Sequence, residues 1–573
     1  MFKELFQFIK RRKWVYLLVL VAIIVEFIVM LIPTRIIQET IDSIASQTLT
    51  KDRLHTQILL LLSITVLGYV SQNISLRFLF NESNLYHYEL RNRMYGKMIH
   101  MRTPFYQKFR SGDMITRFTS DTNSIVEFLG YGLLCILYFV GYLVFIIPAM
   151  AVLSPVLTVL AVIPIFIAGC GIYWVGKKQD DLYEQTREAV SGLSNEILEV
   201  VEGIRVTRAY GNSTLGQKRF RDKTHQLRQR AFHLNQYTSL YGRVAFTGVS
   251  ISTALIIGVG GYLLTINQVT IGQVIAVQLY SLTLLDPMWM VADVAQIYQT
   301  SKVSFRKIIE LVNETDDLSM DGNVHLEVPT TIEFKGYHFT YANSDRPALK
   351  NITLTLKKGQ TLGVVGQTGS GKTTFVRQLL MQYPVGEGEF LINGKSVKDY
   401  SRASIEKQLG YVPQEHVLFS KSVEANIKIG KKDADILELA QAVESASFTQ
   451  DLERMSDGIE TLVGEKGVSI SGGQKQRISI ARALIKDPEV LILDDSLSAV
   501  DAKTETAIIQ NMQVLRQGKT NVIVTHRLSA VMHADWVVVL DDGEICEEGT
   551  PQQLLERNGW FAEQYQKQQM EEV

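Results

Sequence analysis

The sequence predicts two fused domains of unlike class: an all-α membrane domain with six spans over residues 1–312, then an α/β domain over residues 331–573, joined by a linker at 313–330. Three observations predict it. Long uncharged apolar runs are confined to residues 14–300, basic residues collect in alternate connections, and the C-terminal part contains a short apolar strand, a glycine-rich loop and a helix in direct succession. At 573 residues the chain is too long for one core. Its mean hydropathy of +0.08 averages a membrane half and a soluble half. A formal net charge of -1 argues against a nucleic-acid partner, which requires a basic surface. Cys135, Cys170 and Cys546 match no zinc or redox spacing and predict no disulfide.

Uncharged run length converts into membrane crossings because a bilayer core needs about 20 apolar residues per helix. The first span, at about 14–37, begins in a run whose one charge is Glu26, and the second, at 54–80, begins in a run without Asp, Glu, Lys or Arg. Residues 128–176 are uncharged for 49 positions, and Ser154-Pro155 divides them into spans at 128–153 and 156–177. Residues 244–285 are uncharged for 42 positions, and Asn267-Gln-Val-Thr-Ile-Gly272 separates spans at 244–266 and 272–298. The first apolar run has no small-residue cleavage site behind it and is long enough to stay in the bilayer, so it is expected to remain as a span.

Basic residues mark the cytoplasmic ends. Lys10, Arg11, Arg12 and Lys13 precede the first span, many more lie between the second and third and between the fourth and fifth, and the turns near Ser154 and Asn267 carry none. Both termini are therefore expected in the cytoplasm. The two basic connections are long and poor in helix breakers, so the membrane helices are expected to continue into the cytoplasm, with Gly112 and Gly211 as candidate tips or helix ends and with 112–122 and 201–211 as candidate docking segments. A carboxylate inside a span is expensive and faces a cavity or a partner. Glu26 is the clearest, either as an anion contacting a cationic or amphipathic cargo or as an interhelical hydrogen-bond acceptor. Asp286 and Asp293 are less telling because they fall toward the interface, and Tyr138, Tyr142, Phe145 and Met290 either line a cavity or simply pack.

In the C-terminal domain, Thr361-Leu-Gly-Val-Val365 is a buried strand, and Gly366-Gln-Thr-Gly-Ser-Gly-Lys-Thr373 leads into a helix. The backbone amides of Gly366, Gln367, Thr368, Gly369, Ser370 and Gly371 wrap phosphates in such a turn. Lys372 supplies a fixed cation, Thr373 a hydroxyl for Mg2+, and Thr374 continues the helix start. Val490-Leu-Ile-Leu493 is a second buried strand with Asp494 placed to hold the magnesium water shell. Asp495 follows at the position that orients or deprotonates the attacking water; Gln414 can reach metal and water, and His526 can hydrogen-bond a γ-phosphate. A second anion cradle, Ser471, Gly472, Gly473 and Gln474, opens an amphipathic helix. One chain with two cradles makes sense if the second closes over ATP held by another copy or another chain.

This ordered set resembles the ATP-binding-cassette (ABC) transporters over essentially the whole chain, and six spans fused to one nucleotide domain are similar to a bacterial exporter half-transporter of the type IV fold. The resemblance implies an ATP-driven, Mg2+-dependent translocase of a bacterial cytoplasmic membrane. It also implies that Tyr341 is the aromatic platform for the base, that 470–474 is the signature, that Glu465 contacts membrane-domain coupling helices, and that Ser498 and Asp501 belong to a loop crossing between nucleotide domains. One position departs from the family. Asp495 stands where a glutamate normally acts as base, one methylene shorter, and base placement is worth about 10² to 10⁴ in rate.

The resemblance thus extends to the degenerate-site partner of heterodimeric multidrug exporters, whose second subunit carries the glutamate; in a homodimer Asp495 would be a slow base. Expected partners are that second half-transporter, membrane lipids and a small amphipathic substrate. A lipid or lipid-linked precursor flippase and a nucleotide-gated channel or sensor are the alternatives. An exporter with its own peptidase is disfavoured by the 13 residues before the first span.

Overall fold

The computed structural model describes residues 1–211, 213–315, 322–342, 344–464, 470–497 and 502–571. The chain divides into two compact units: Met1–His100 with Phe109–Glu314, and Met101–Lys108 with Thr315–Val573.

In the first unit, six helices among the described residues are long and apolar enough to cross a membrane: Lys13–Ala45, Lys51–Ile99, Ser111–Leu153, Pro155–Glu202, Gly216–Thr265 and Ile271–Asn313. Four of the six predicted starts fall near helix starts, whereas the third and fifth helices begin far ahead of their apolar runs. The second to sixth run 43 to 50 residues, about twice what a bilayer core requires, so they are long enough to continue beyond it, as expected for the second to fifth. The break between the third and fourth is a cap: Ser154 is extended, and its hydroxyl accepts from the amide of Leu157 at 3.4 Å. The sixth begins at Thr270 with a capping box closed by Gln273. It is also tied to the first helix, because Asp42 accepts from the Gly272 amide and the Thr270 hydroxyl, each at 2.9 Å.

The third helix contains three wide π turns, at Arg117–Asp121, Phe128–Gly132 and Tyr142–Ile146. Such turns shift side-chain register and recur at functional sites. Around the last of them the membrane core is aromatic: Phe27 of the first helix lies parallel to Phe145 at 5.7 Å and edge-on to Tyr138 and Tyr142 at 5.5 and 5.3 Å. Gly141 permits this approach, since a Cβ there would stand 2.0 Å from the Phe27 ring.

Segment 112–122, expected to dock, instead packs within its own unit. Arg117 donates to the Lys307 carbonyl and pairs with Asp113 at 2.8 Å, while the Ser304 hydroxyl donates to Asp121 at 2.7 Å. The segment that joins the nucleotide unit is Met101–Lys108, containing the short helix Thr103–Lys108. Arg102, Thr103 and Gln107 bond to that unit, whereas Arg117 and Asp121 bond to the sixth helix and Thr122 and the Phe118 carbonyl to the second.

Among its described residues the second unit holds ten strands: β1 Thr331–Phe339, β2 Leu349–Lys357, β3 Thr361–Gly366, β4 Glu387–Ile392, β5 Lys395–Ser396, β6 Leu409–Val412, β7 Val490–Asp494, β8 Thr520–Val524, β9 Trp536–Asp541 and β10 Glu544–Gly549. They form an antiparallel sheet in the order β2-β1-β4-β5 and a six-stranded sheet in the order β10-β9-β3-β8-β7-β6. In the larger sheet β9, β3, β8, β7 and β6 run parallel. Both faces are covered, one by the Ile478, Leu491, Leu493 and Ile523 core and the other by the Phe334, Val364, Ile492 and Val522 core. That explains the unbroken apolar runs of β3 and β7. The residues read as a linker are partly domain: Leu326 is buried and Val324 donates to the Asp399 carbonyl at 3.0 Å.

Replacing Gly141 by Ala should force the buried Phe27 ring out of its place, at about 1–3 kcal/mol for overpacking. A lowered thermal midpoint of the purified protein checks it; an unchanged midpoint would mean that the two helices separate freely.

Candidate nucleotide site

The parallel sheet gathers the chemistry at one edge. The glycine-rich loop leaves the C-terminal end of β3, Asp494 closes β7, His526 follows β8 by two residues, and Gln414 follows β6 by two. These four strands are adjacent, so positions scattered over more than 150 residues of sequence meet outside the carboxyl ends, where open α/β sheets bind ligands.

The loop's shape depends on glycine. Gly366 has φ 145°, and a Cβ there would lie 2.1 Å from the Leu540 carbonyl oxygen; Gly371, at φ 103°, turns the chain into the helix Lys372–Leu379. The Lys372 ammonium is buried and donates to the Gly366 and Gln367 carbonyls at 2.9 and 2.8 Å. Burial lowers its pKa, an effect opposed by Asp495 and Asp494. The Ser370 hydroxyl is buried without a partner, and Gln367, Thr368 and Gly369 are exposed. A buried cation, an orphaned hydroxyl and a helix start together suit a polyphosphate.

Asp494 is 2% exposed, and the Tyr411 hydroxyl donates to it at 3.4 Å. Burial pushes its carboxyl above the ordinary range, and the adjacent Asp495 adds to the rise. Two neighbouring carboxylates, one of them buried, suit a divalent cation. Thr373 is half-buried in the first turn of the helix, and Gln414 is exposed.

Asp495 is half-buried at φ 47°, with its amide donating to the Val524 carbonyl at 2.7 Å. Sequence reasoning missed this left-handed backbone, which aspartate adopts more readily than most non-glycine residues. His526 is exposed; partial burial and Lys372 lower its pKa, and Asp495 partly offsets them. Lys372, Asp494, Asp495 and His526 therefore occupy one electrostatic neighbourhood. Tyr341 is half-buried, with its hydroxyl 3.0 Å from that of Thr374 and its ring edge-on to Phe339 and Tyr383 at 4.9 and 5.0 Å.

The second cradle does not join this cluster. Ser471 caps the helix Gly472–Leu484 in a box closed by Gln474, whose amide also donates to Asp451 at 3.1 Å. Ser471 and Gly472 are exposed, and the described contacts of 471–474 include none with the glycine-rich loop. Glu465, Ser498 and Asp501 lie outside the described residues.

In the membrane unit Tyr138 donates to Glu26, Tyr142 donates to Asp286 at 3.1 Å, and Tyr131 donates to Asp293 at 2.8 Å. The last two pairs were not foreseen. Their signal was the run of tyrosines in the third span, which sequence alone does not distinguish from packing residues.

A six-helix membrane unit joined to a two-sheet nucleotide unit with this loop is the architecture of an ABC exporter. Residues 15–288 match the ABC transporter transmembrane region and 349–498 match the ABC transporter family. The chain is 38% identical over 570 residues to the "Probable multidrug resistance ABC transporter ATP-binding/permease protein YheI" of Bacillus subtilis (strain 168), covering 99% of this chain and 97% of that protein. It is 29% identical over 564 residues to the "Multidrug resistance-like ATP-binding protein MdlA" of Escherichia coli (strain K12), covering 98% and 95%. Its fold is shared with a solved bacterial Atm1-family ABC exporter with ATP bound, at a TM-score of 0.81 and 23% identity over 98% of both chains. The chain belongs to the ABC transporters and is a multi-pass, ATP-hydrolysing exporter.

Lys372→Ala should weaken ATP binding about 10- to 100-fold, the worth of a charge-assisted hydrogen bond, as measured by direct titration. In nucleotide-free protein the His526 imidazole should titrate below pH 6.5, staying neutral at pH 7, and Lys372→Ala should move its midpoint up by removing the neighbouring cation. Histidine NMR, assigned with His526→Ala, checks both; a midpoint above 6.5 contradicts the burial argument.

Proposed function

We propose that this chain drives efflux of amphipathic or drug-like compounds across the cytoplasmic membrane of a bacterium, as one half of a heterodimeric exporter with both termini in the cytoplasm. ATP with Mg2+ closes two nucleotide domains on each other, and that closure switches the membrane cavity from inward- to outward-facing. Hydrolysis then resets it, because ATP and its product favour different states. Thr373, Gln414 and Asp494 would hold the Mg2+, which neutralises phosphate charge. Tyr341 supports the base, the backbone of 366–371 and Lys372 hold the phosphates, and His526 hydrogen-bonds the terminal one.

The observation that carries the heterodimer is Asp495. It is a short carboxylate on a constrained backbone beside a buried Asp494, in a chain whose Ser471 to Gln474 cradle is well formed. A correctly placed base is worth about 10² to 10⁴ in rate. This chain's own site therefore binds ATP and turns it over slowly, and its cradle completes a faster site on another chain. The apolar tip of the fourth and fifth helices also suits a second subunit: Val201, Val206 and Tyr210 are 63, 62 and 83% exposed. Efflux of amphipaths is supported by the names of the relatives above and by Glu26, Asp286 and Asp293, carboxylates paired to tyrosines and suited to cationic cargo.

Co-purification of a tagged copy from its native membrane should bring down a second half-transporter, and ATPase activity should require it. Full activity of this chain alone sinks the heterodimer. Asp495→Glu should raise turnover at this site about tenfold or more if base placement limits it. Inverted vesicles should accumulate an amphipathic dye in an ATP-dependent manner, and ATP binding without uptake would instead support a gate or sensor.

A further inference from the structure

Within the nucleotide unit, a set of contacts connects the Met101–Lys108 segment with Tyr341 and the start of the phosphate-loop helix, and Tyr383 is its junction. The Tyr383 carbonyl accepts from the Arg102 guanidinium at 2.7 Å, and its hydroxyl accepts from the Gln107 amide at 2.7 Å. The preceding carbonyl, of Gln382, accepts from the Thr103 amide at 3.3 Å. Three successive polar groups of the nucleotide domain are thus committed to a segment only eight residues long. Arg102 and Tyr383 are each 4% exposed, so the bond between them is shielded from water, whereas Gln107 reaches the Tyr383 hydroxyl from the surface.

On its other side the Tyr383 ring meets Tyr341 edge-on at 5.0 Å and 85°, and the Arg377 guanidinium lies 6.0 Å from its centroid. Tyr341 is held in turn by the Thr374 hydroxyl at 3.0 Å, in the first turn of the phosphate-loop helix. From Arg102 the path therefore runs through Tyr383 to Tyr341 and on to Thr374.

We propose that Tyr383 is a positioning residue that couples ATP occupancy at Tyr341 to docking of the 101–108 segment. A buried ring in edge contact with Tyr341 cannot stay in place when Tyr341 turns, and its hydroxyl cannot follow without leaving Gln107. A base lying on Tyr341 holds that ring still, keeps the Tyr383 hydroxyl on Gln107 and tightens the segment. By reciprocity, the docked segment raises ATP affinity by the same factor. The coupling rests on the assignment of Tyr341 as base platform, and is independent of the cargo and of whether the partner subunit is identical.

The test is amide hydrogen exchange of residues 101–108 in the full transporter in lipid nanodiscs, with and without ATP and Mg2+. ATP should slow exchange there about fivefold or more, the lower end of ordinary allosteric coupling. Tyr383→Phe, which keeps the ring and loses the Gln107 bond, should remove most of that slowing, and Gln107→Ala should do the same from the other side. Tyr383→Leu should abolish it and raise KM for ATP more than it lowers kcat. Wild type without ATP-dependent slowing, or full slowing retained in both Tyr383→Phe and Gln107→Ala, overturns the proposal; a lowered thermal midpoint alone marks a structural role and does the same. Tyr341→Ala distinguishes the underlying assignment: unchanged ATP affinity in that variant removes the base platform, whatever the Tyr383 variants show.

Discussion

Parallel pairing of β3 with β8 and β9 is the constraint on which the nucleotide unit depends. Thr361 to Val364 lie in register with Asn521 to Val524 on one side, and Leu362 to Gly366 with Trp536 to Leu540 on the other. Parallel strands need crossover connections and have both faces covered, so their side chains must be apolar throughout. The polar chemistry is thereby displaced to the strand ends. Gly366 turns against the Leu540 carbonyl because β9 is its neighbour, and the Asp495 amide reaches the Val524 carbonyl because β8 is next to β7. The site is the set of positions where this sheet stops being hydrophobic.

The membrane unit follows a parallel logic in a different solvent. Carboxylates among apolar helices need donors from the protein. Glu26, Asp286 and Asp293 each take one from a tyrosine of the third helix, and π turns contain two of those tyrosines, Tyr131 and Tyr142. The same helix therefore connects the first and the sixth. At the other end of these two helices, Asp42 binds the start of the sixth directly. Most other side-chain hydrogen bonds here return to the same helix four residues back, as at Thr40, Ser63 and Thr65, so long-range pairs such as these join helices distant in sequence.

Much of this was legible in the sequence, because each legible feature rests on local periodicity or on a compact motif. Six spans follow from run length, the phosphate loop from glycine and lysine spacing, and the cap at Ser154 from the proline behind it. Docking by 101–108 rather than 112–122 was not legible. Both stretches are short and helical with an arginine, and what separates them is where Arg102 and Arg117 find acceptors: one on Tyr383, the other on Lys307 and Glu310. The positive φ of Asp495 was hidden for a similar reason, since a strand-end aspartate has no sequence mark for handedness.

By itself the sequence determined the class of machine: a membrane domain of six apolar helices, a nucleotide domain with a complete phosphate loop and signature, and one shortened carboxylate at the expected base position. Those are properties of residue type and spacing, and hydrophobic run length and glycine placement suffice to produce them. Only the tertiary structure decided which residues share a site. Strand order brought Lys372, Asp494, Asp495 and His526 into one field, aromatic packing joined Tyr341 to Tyr383, and a tyrosine was assigned to each membrane carboxylate. The physical reason is that a hydrogen bond or an edge-on ring contact depends on positions a few ångströms apart in space, which neighbours in sequence do not specify.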